Sequence, residues 1–137
     1  MSSHEGGCLC GKVRFRVSAQ PLDSGYCHCR MCQRNSGAPA VAWVTFPRAG
    51  FSWIKGQCRA YASSEQARRY FCESCGSYLS FHSEESPDEI SINTASFDNP
   101  DAFPPRMHIF AESRLSWFRT DDDLPVYNGY GPFKRHA

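Results

Sequence analysis

The chain has 137 residues, of which 41% are hydrophobic and 21% are charged. That length suits one domain, and the composition is that of a folded protein rather than a disordered one. Lysine and arginine number 15 against 14 acidic residues, a formal net charge of +1 that excludes a protein built to coat a polyanion. We therefore expect a single domain over residues 1–137 with no nucleic-acid partner.

The sequence also predicts a cellular location. No run approaches the ~20 apolar residues that cross a bilayer, and residues 1–7 lack the apolar core of a secretory signal. We therefore expect a cytoplasmic protein with no membrane partner. Its eight cysteines then need an explanation, because thiols are kept reduced in that compartment. The leading explanation is that the cysteines bind metal as thiolates.

Short β-rich runs dominate the predicted elements. The first, Lys12 to Val17, alternates apolar and basic residues, as a half-buried strand does. Further strands, each bounded by turn-forming residues, are predicted at residues 41–46, 51–55, 59–62, 68–71, 78–82, 90–94, 108–110 and 115–118. One short helix is predicted over 30–36, ending at Gly37. The proline-rich segment 96–106 is expected to cross the surface without joining a central ladder. The fold class is therefore mainly β, with short antiparallel sheets and little helix.

Seven of the eight cysteines fall into three tight groups: Cys8-Leu-Cys10, Cys27-His-Cys29-Arg-Met-Cys32 and Cys72-Glu-Ser-Cys75. Cysteines separated by one or two residues can direct two thiolates at one ion. A disulfide framework or a set of buried free thiols is the alternative. Zinc is favoured among metals because all-sulfur ligation without redox partners suits it best, with an iron–sulfur cluster as the other candidate.

The number of clustered cysteines predicts two zinc ions. A structural zinc takes four protein ligands, whereas a catalytic zinc takes three and keeps one position open. Joining the two outer pairs gives a four-cysteine cluster, which would connect the N-terminal segment to the second half of the chain: Cys8, Cys10, Cys72 and Cys75. The remaining three-cysteine cluster is Cys27, Cys29 and Cys32. It lacks one ligand unless another group supplies it, so function is expected there.

Other polar residues are assigned more modest roles. His28 is expected to point away from the metal, and Cys58 to be a buried or edge thiol rather than a missing ligand. His82 and His108 are the general acid–base candidates because histidine titrates near neutral pH, although a structural role is the alternative for each. The aspartates at 121–123 are interpreted as a solvated turn. Four large aromatic residues are expected in the core, with a place in the wall of the functional pocket as the alternative: Trp43, Trp53, Phe81 and Trp117.

The three cysteine motifs, with their flanks at residues 36–39, 105–110 and 116–118, resemble the glutathione-dependent formaldehyde-activating enzyme family, which includes the domain of centromere protein V. The resemblance covers about residues 6–127. It implies a single zinc-binding domain with a tent-like β fold held together by zinc. It also implies that the four-cysteine cluster is a closed structural site and that the three-cysteine cluster is an open, catalytic one.

The resemblance implies a zinc-dependent carbon–sulfur lyase similar to S-hydroxymethylglutathione synthase. Its reactants would be a thiol such as glutathione and a small aldehyde such as formaldehyde, or their adduct. A thiol at the open zinc would lose its proton and attack the aldehyde. Because glutathione carries carboxylates, Arg30 and Arg34 are candidate substrate contacts. The alternative function is a non-catalytic zinc module that carries a thiol or binds a protein.

Overall fold

The computed structural model describes residues 2–132 and confirms a mainly β fold, with ten strands and one short α-helix in that range. The helix, α1, covers Arg30–Ser36. The strands, in chain order, are β1 (His4–Gly7), β2 (Arg14–Val17), β3 (Asp23–Cys27), β4 (Val41–Pro47), β5 (Phe51–Lys55), β6 (Arg59–Ala62), β7 (Ala67–Phe71), β8 (Tyr78–Ser83), β9 (Glu89–Asn93) and β10 (His108–Ile109).

The strands form two sheets. Strands β1, β2 and β5 make a three-stranded antiparallel sheet, and the other seven follow the order β10-β3-β4-β9-β8-β7-β6. In the larger sheet, β10 lies parallel to β3 and the remaining neighbours are antiparallel. Strand β3 therefore has a partner on each side, and its last residue, Cys27, is paired with Ile109 and Val41.

An apolar core joins the two sheets. It takes residues from β2 and β5 of the smaller sheet, from β4 and β9 of the larger one, and from the segment after β9: Phe15, Val17, Val44, Phe46, Phe51, Ile90, Ile92, Phe97 and Phe103. Burial of one such side chain is worth about 1.5–3 kcal/mol. The core thus holds the two sheets against each other.

The helix ends where the sequence predicts. Gly37 has a left-handed φ of 73°, and its amide donates to the Gln33 carbonyl. The buried Gln33 side chain donates to the carbonyls of His28 and Ser113, which anchors α1 to two loops. No helix among residues 2–132 is long and apolar enough to cross a membrane.

Two strands are absent from the sequence prediction, and one predicted strand is wrong. Both β1 and β3 contain glycine, which β propensity disfavours. At Gly25 a Cβ atom would lie 2.7 Å from the Met107 carbonyl oxygen, so glycine is what lets the chain around β10 approach β3. Residues 115–118 form no strand, and Trp117 is 71% exposed instead of lying in the core.

The segment 96–106 contains no strand, as the prolines predict, and its β pairing is limited to an isolated bridge between Phe97 and Gly6. It is not confined to the surface, however. Phe97 and Phe103 are buried in the core, with ring centroids 4.7 Å apart. Asp98, between them, pairs with Arg14 of β2 at 2.6 Å. The segment therefore closes one side of the core and fixes β2.

Candidate metal centre

The four-cysteine cluster brings together two loops that are distant in sequence. Cys8 and Cys10 follow β1, whereas Cys72 and Cys75 follow β7, and all four sulfur atoms lie within 4.8 Å of one another. The Cys10 Sγ atom lies 3.6 Å from that of Cys8 and 3.8 Å from that of Cys72. A tetrahedral ion with metal–sulfur bonds of ~2.3 Å requires sulfur separations of about 3.8 Å. The donor set therefore fits a closed zinc site.

Both loops of this cluster are turns that end at a glycine. The amide of Gly11 donates to the Cys8 carbonyl at 3.2 Å, and the amide of Gly76 donates to the Cys72 carbonyl at 2.7 Å. Their φ angles are 80° and 79°, in the left-handed region that other residues adopt only with strain. The two glycines thus set the turns that present the sulfurs.

Hydrogen bonds to two of these sulfurs, those of Cys8 and Cys75, favour their negatively charged form. The Val13 amide donates to Cys8 Sγ at 3.3 Å. The Ser77 hydroxyl lies 3.3 Å from Cys75 Sγ, and hydrogen bonding from Ser77 lowers the pKa of Cys75 to about 5. Such donors favour the thiolate, which is the form that binds metal.

Cys58 packs beside the four-cysteine cluster without joining it. Its side chain is half-buried against an apolar cluster formed by Cys8, Val13, Cys72 and Leu79. Burial raises the pKa of Cys58 to about 12. Within residues 2–132 it belongs to neither cysteine group. This agrees with its interpretation as a neutral, partly buried thiol.

The three-cysteine cluster is built around the start of α1. Cys27 is the last residue of β3, Cys29 is the N-cap of α1, and Cys32 lies in its first turn. Their sulfur atoms lie within 4.8 Å of one another, and the described residues supply no fourth cysteine, histidine or carboxylate to the group. A metal bound here would keep a position open for another ligand.

The electrostatics of this cluster also favour a cation. Hydrogen bonds from Cys27 and Cys32 lower the pKa of Cys29 far below that of a free thiol. The Cys27 thiol donates to the sulfurs of Cys29 and Cys32, and these hydrogen bonds, together with burial, raise the pKa of Cys27. Three clustered, partly buried thiols therefore do not all ionise side by side unless a positive charge lies among them. A divalent ion would supply that charge, so this donor set fits zinc as well.

Arg69, which the sequence analysis did not select, lies against the three-cysteine cluster. Arg69 is only 5% exposed. Its Nη1 donates to Cys32 Sγ at 3.7 Å and to Tyr78 Oη at 2.8 Å. The guanidinium also lies over the rings of Tyr78 and Phe81. Alternation along β7 places Arg69 on the same buried face as Ala67, which is the signal that could have identified it.

A cavity of about 160 Å³ opens beside the cluster. The three cysteines, Arg69 and Tyr78 line it together with apolar and aromatic side chains. Arg30 and Arg34 are exposed and are not among the lining residues of the described chain, and Arg30 donates to the Gln33 side chain. Their contact with a substrate stays a prediction.

His28 points away from the cysteines into a buried hydrogen-bond chain. Its Nε2 lies 2.8 Å from His108 Nδ1, and His108 Nε2 lies 3.0 Å from Asp122 Oδ2. Because a carboxylate only accepts, His108 donates from Nε2 and, when neutral, accepts at Nδ1 from His28. Burial lowers the pKa of His28 to about 4, so this ring is neutral at pH 7. His28 is thus no member of the cysteine group, and Asp122 has a partner that the sequence analysis missed.

Replacing His108 by phenylalanine should destabilise the fold by about 1–3 kcal/mol, because His28 Nε2 would lose its partner in a fully buried position. The loss would appear as a lower midpoint in urea unfolding. His82→Phe is the matched control, since the half-buried His82 bonds only the Pro87 carbonyl in the described contacts and should change stability by less than about 0.5 kcal/mol. Equal midpoints for the two variants would contradict a structural role for His108.

Together, the fold and the two cysteine groups define a class of mainly β protein with one closed and one open candidate metal site. The chain belongs to the glutathione-dependent formaldehyde-activating enzyme family, whose model matches residues 3–113. The resemblance found in the cysteine motifs is thereby confirmed.

Individual relatives agree with this assignment. A Halomonas elongata protein, provisionally named a glutathione-dependent formaldehyde-activating enzyme, is 28% identical over 122 residues, covering 82% of this chain and 78% of that protein. An uncharacterized lyase of Schizosaccharomyces pombe is 29% identical over 93 residues, covering 68% of this chain and 67% of that protein. A Rhodobacter sphaeroides protein of known crystal structure shares the fold at a TM-score of 0.58 and 22% identity, covering 90% and 98% of the two chains.

Proposed function

We propose that this protein is a zinc-dependent carbon–sulfur lyase that joins a thiol such as glutathione to a small aldehyde, or cleaves their adduct. The observation that carries the proposal is the three-cysteine cluster in the wall of a cavity, with no fourth ligand from the described residues. Family membership and the lyase named among the relatives support the reaction class.

Two zinc ions per chain would be held by the cysteines. The four-cysteine cluster would take a structural ion, and the three-cysteine cluster would take a second one. Bound there, zinc supplies a vacant coordination position and lowers the pKa of an incoming thiol. The chain's own residues must then supply charge balance, orientation and a place for the aldehyde oxygen.

Arg69 supplies the charge balance. Three thiolates around a divalent ion leave one net negative charge, which would repel an incoming thiolate. The guanidinium, 3.7 Å from Cys32 Sγ and shielded from water, offsets that charge at short range. Its position at the cavity wall therefore favours an anionic reactant beside the cluster.

Tyr78 supplies a hydrogen-bond donor for the aldehyde. Its hydroxyl oxygen accepts from Arg69, which leaves the hydroxyl hydrogen to donate to a carbonyl oxygen in the cavity. Burial raises the pKa of Tyr78, so the hydroxyl stays protonated. As the sulfur atom of the substrate thiol attacks the aldehyde carbon, a carbon–sulfur bond forms and the carbonyl π bond becomes a lone pair on oxygen. That oxygen then gains the proton that the thiol lost, giving a hydroxymethyl-type thioether.

The Cys29→Ser variant tests this proposal. Serine keeps the N-cap hydrogen bond to the Cys32 amide but removes one thiolate. We expect adduct formation from glutathione and formaldehyde to fall to the rate without protein, while metal content drops from two ions to one and unfolding stays cooperative. Measuring adduct by proton NMR, with wild type and a protein-free sample alongside, checks this.

Two other results would be informative. Undiminished turnover in Cys29→Ser would contradict a role for the three-cysteine cluster in the reaction. A wild-type protein that binds glutathione but forms adduct no faster than the protein-free sample would instead indicate a thiol carrier.

A further inference from the structure

The size and lining of the cavity beside the three-cysteine cluster indicate which kind of aldehyde it would accept. Resting on the function proposed above, we propose that the preferred aldehyde bears a small apolar group, a single aromatic ring or a branched aliphatic chain, that fills this cavity. Formaldehyde, which has no such group, would still react but with a higher KM.

The size of the cavity matches one ring. Its volume is about 160 Å³. An enclosed apolar cavity of roughly 150 Å³ is large enough to accept benzene. Formaldehyde alone would leave most of the space unfilled, whereas a benzyl or isobutyl group would occupy it.

The wall of the cavity is apolar over most of its extent. Besides the cysteines it is formed chiefly by aliphatic and aromatic side chains from β4, β8, β10 and the loops that follow: Val41, Trp43, Phe81, Ile109, Phe110 and Tyr130. Phe110 and Tyr130 meet edge to face with their centroids 4.7 Å apart, which gives this side of the cavity a defined shape. An apolar ligand would replace water on these surfaces.

Several polar side chains that reach the cavity are already paired within the protein. The hydroxyls of Thr45 and Ser91 lie 2.7 Å apart, and the Asn93 amide donates to the Tyr78 carbonyl at 2.8 Å. The polar groups beside the reacting atoms are Arg69 and the Tyr78 hydroxyl, which contact each other and Cys32. The cavity therefore offers one charged corner and an otherwise apolar interior. A carbonyl group with an apolar substituent has the complementary pattern.

Burial of a ring-sized group should be visible in the kinetics. Transfer of a phenyl-sized or branched side chain out of water corresponds to roughly a 10- to 100-fold gain in affinity. We expect the KM for benzaldehyde or 3-methylbutanal to be lower than that for acetaldehyde by about this factor, with glutathione as the common thiol. Formaldehyde provides the comparison that tests the proposed reaction itself.

A binding experiment tests the cavity apart from turnover. Benzyl alcohol, an unreactive analogue of benzaldehyde, should bind wild type in isothermal titration calorimetry, and ethanol should not. Val41→Phe adds an aromatic ring to the cavity wall and should weaken benzyl alcohol binding at least 10-fold. Ile54→Phe makes a similar addition at an exposed position of β5 and should leave binding unchanged.

Each outcome has a definite meaning. Benzyl alcohol binding that Val41→Phe abolishes, together with the expected order of KM values, supports the proposal. Formaldehyde turnover with no gain for the larger aldehydes, or equal binding by Val41→Phe and wild type, would overturn it while the proposed reaction stands. No adduct from any aldehyde would overturn the proposed reaction and this proposal together. Should Val41→Phe fail to fold, the KM series on wild type still decides.

Discussion

Replacing Cys72 by serine should abolish cooperative folding and reduce the metal content by one ion. Cys72 is almost fully buried, and its sulfur lies at the junction of the two distant loops. A structural zinc contributes about 10–16 kcal/mol of binding free energy in small zinc domains, which is as large as the whole stability of a typical domain. Thermal unfolding followed by circular dichroism, together with elemental analysis, would measure the change.

Cys58→Ser is the control for this experiment. Cys58 packs against the same group of side chains but is not one of the four clustered sulfurs. Its replacement should cost about 1 kcal/mol and leave two ions bound, because only a half-buried thiol is exchanged for a hydroxyl. A Cys72→Ser protein that melts like Cys58→Ser would contradict a structural metal at this position.

Replacing Arg69 by methionine should lower kcat/KM by about 100- to 1,000-fold while both ions stay bound. A preorganised donor aimed at developing charge in a water-excluded site typically contributes that much. Methionine retains much of the apolar volume of the arginine stem, but removing one partner of a buried charge pair also lowers stability. Steady-state kinetics with glutathione and an aldehyde, with metal content and melting measured in parallel, would separate the two effects.

Arg68→Met is the matched control for Arg69→Met. Arg68 is the adjacent residue of β7, and its guanidinium donates to backbone carbonyls near residue 65 rather than to the cavity. Its replacement should leave kcat/KM within threefold. Tyr78→Phe removes the hydroxyl but keeps the ring beneath Arg69. A lower kcat/KM in Tyr78→Phe than in wild type would therefore assign part of the effect of Arg69 to the hydroxyl that it contacts. Equal rates for Arg69→Met and Arg68→Met would contradict the role of Arg69.

The cysteine spacing carried most of what could be predicted about the site. Pairs separated by one or two residues must sit on tight turns, so local geometry limits how their sulfurs can point. The four-plus-three division follows from coordination chemistry, and the structure places the seven sulfurs in those two groups. Whether these groups hold zinc in the protein stays a prediction. The short helix was equally local, because Gly37 marks its end.

What the sequence could not reveal depends on contacts between distant residues. Arg69 reaches the three-cysteine cluster only because β7 lies in the same sheet as β3, several strands away. Asp122 gains its partner only when the loop after β10 folds back over His108. Gly25 allows a close backbone approach, yet glycine in isolation argues against a strand. Local patterns contain none of this information.

The two cysteine clusters differ greatly in how far apart their sulfurs lie along the chain. The sulfurs of the three-cysteine cluster fall within six consecutive positions, so a nascent chain can bring them together soon after Cys32 is synthesised. The other requires Cys75, 65 positions beyond Cys10, and closing so long a loop costs substantially more entropy. During synthesis at about 5–20 residues per second, the two sites would thus mature seconds apart. Scarcity of metal at that moment would produce molecules whose three-cysteine cluster holds an ion while the rest of the domain fails to fold cooperatively.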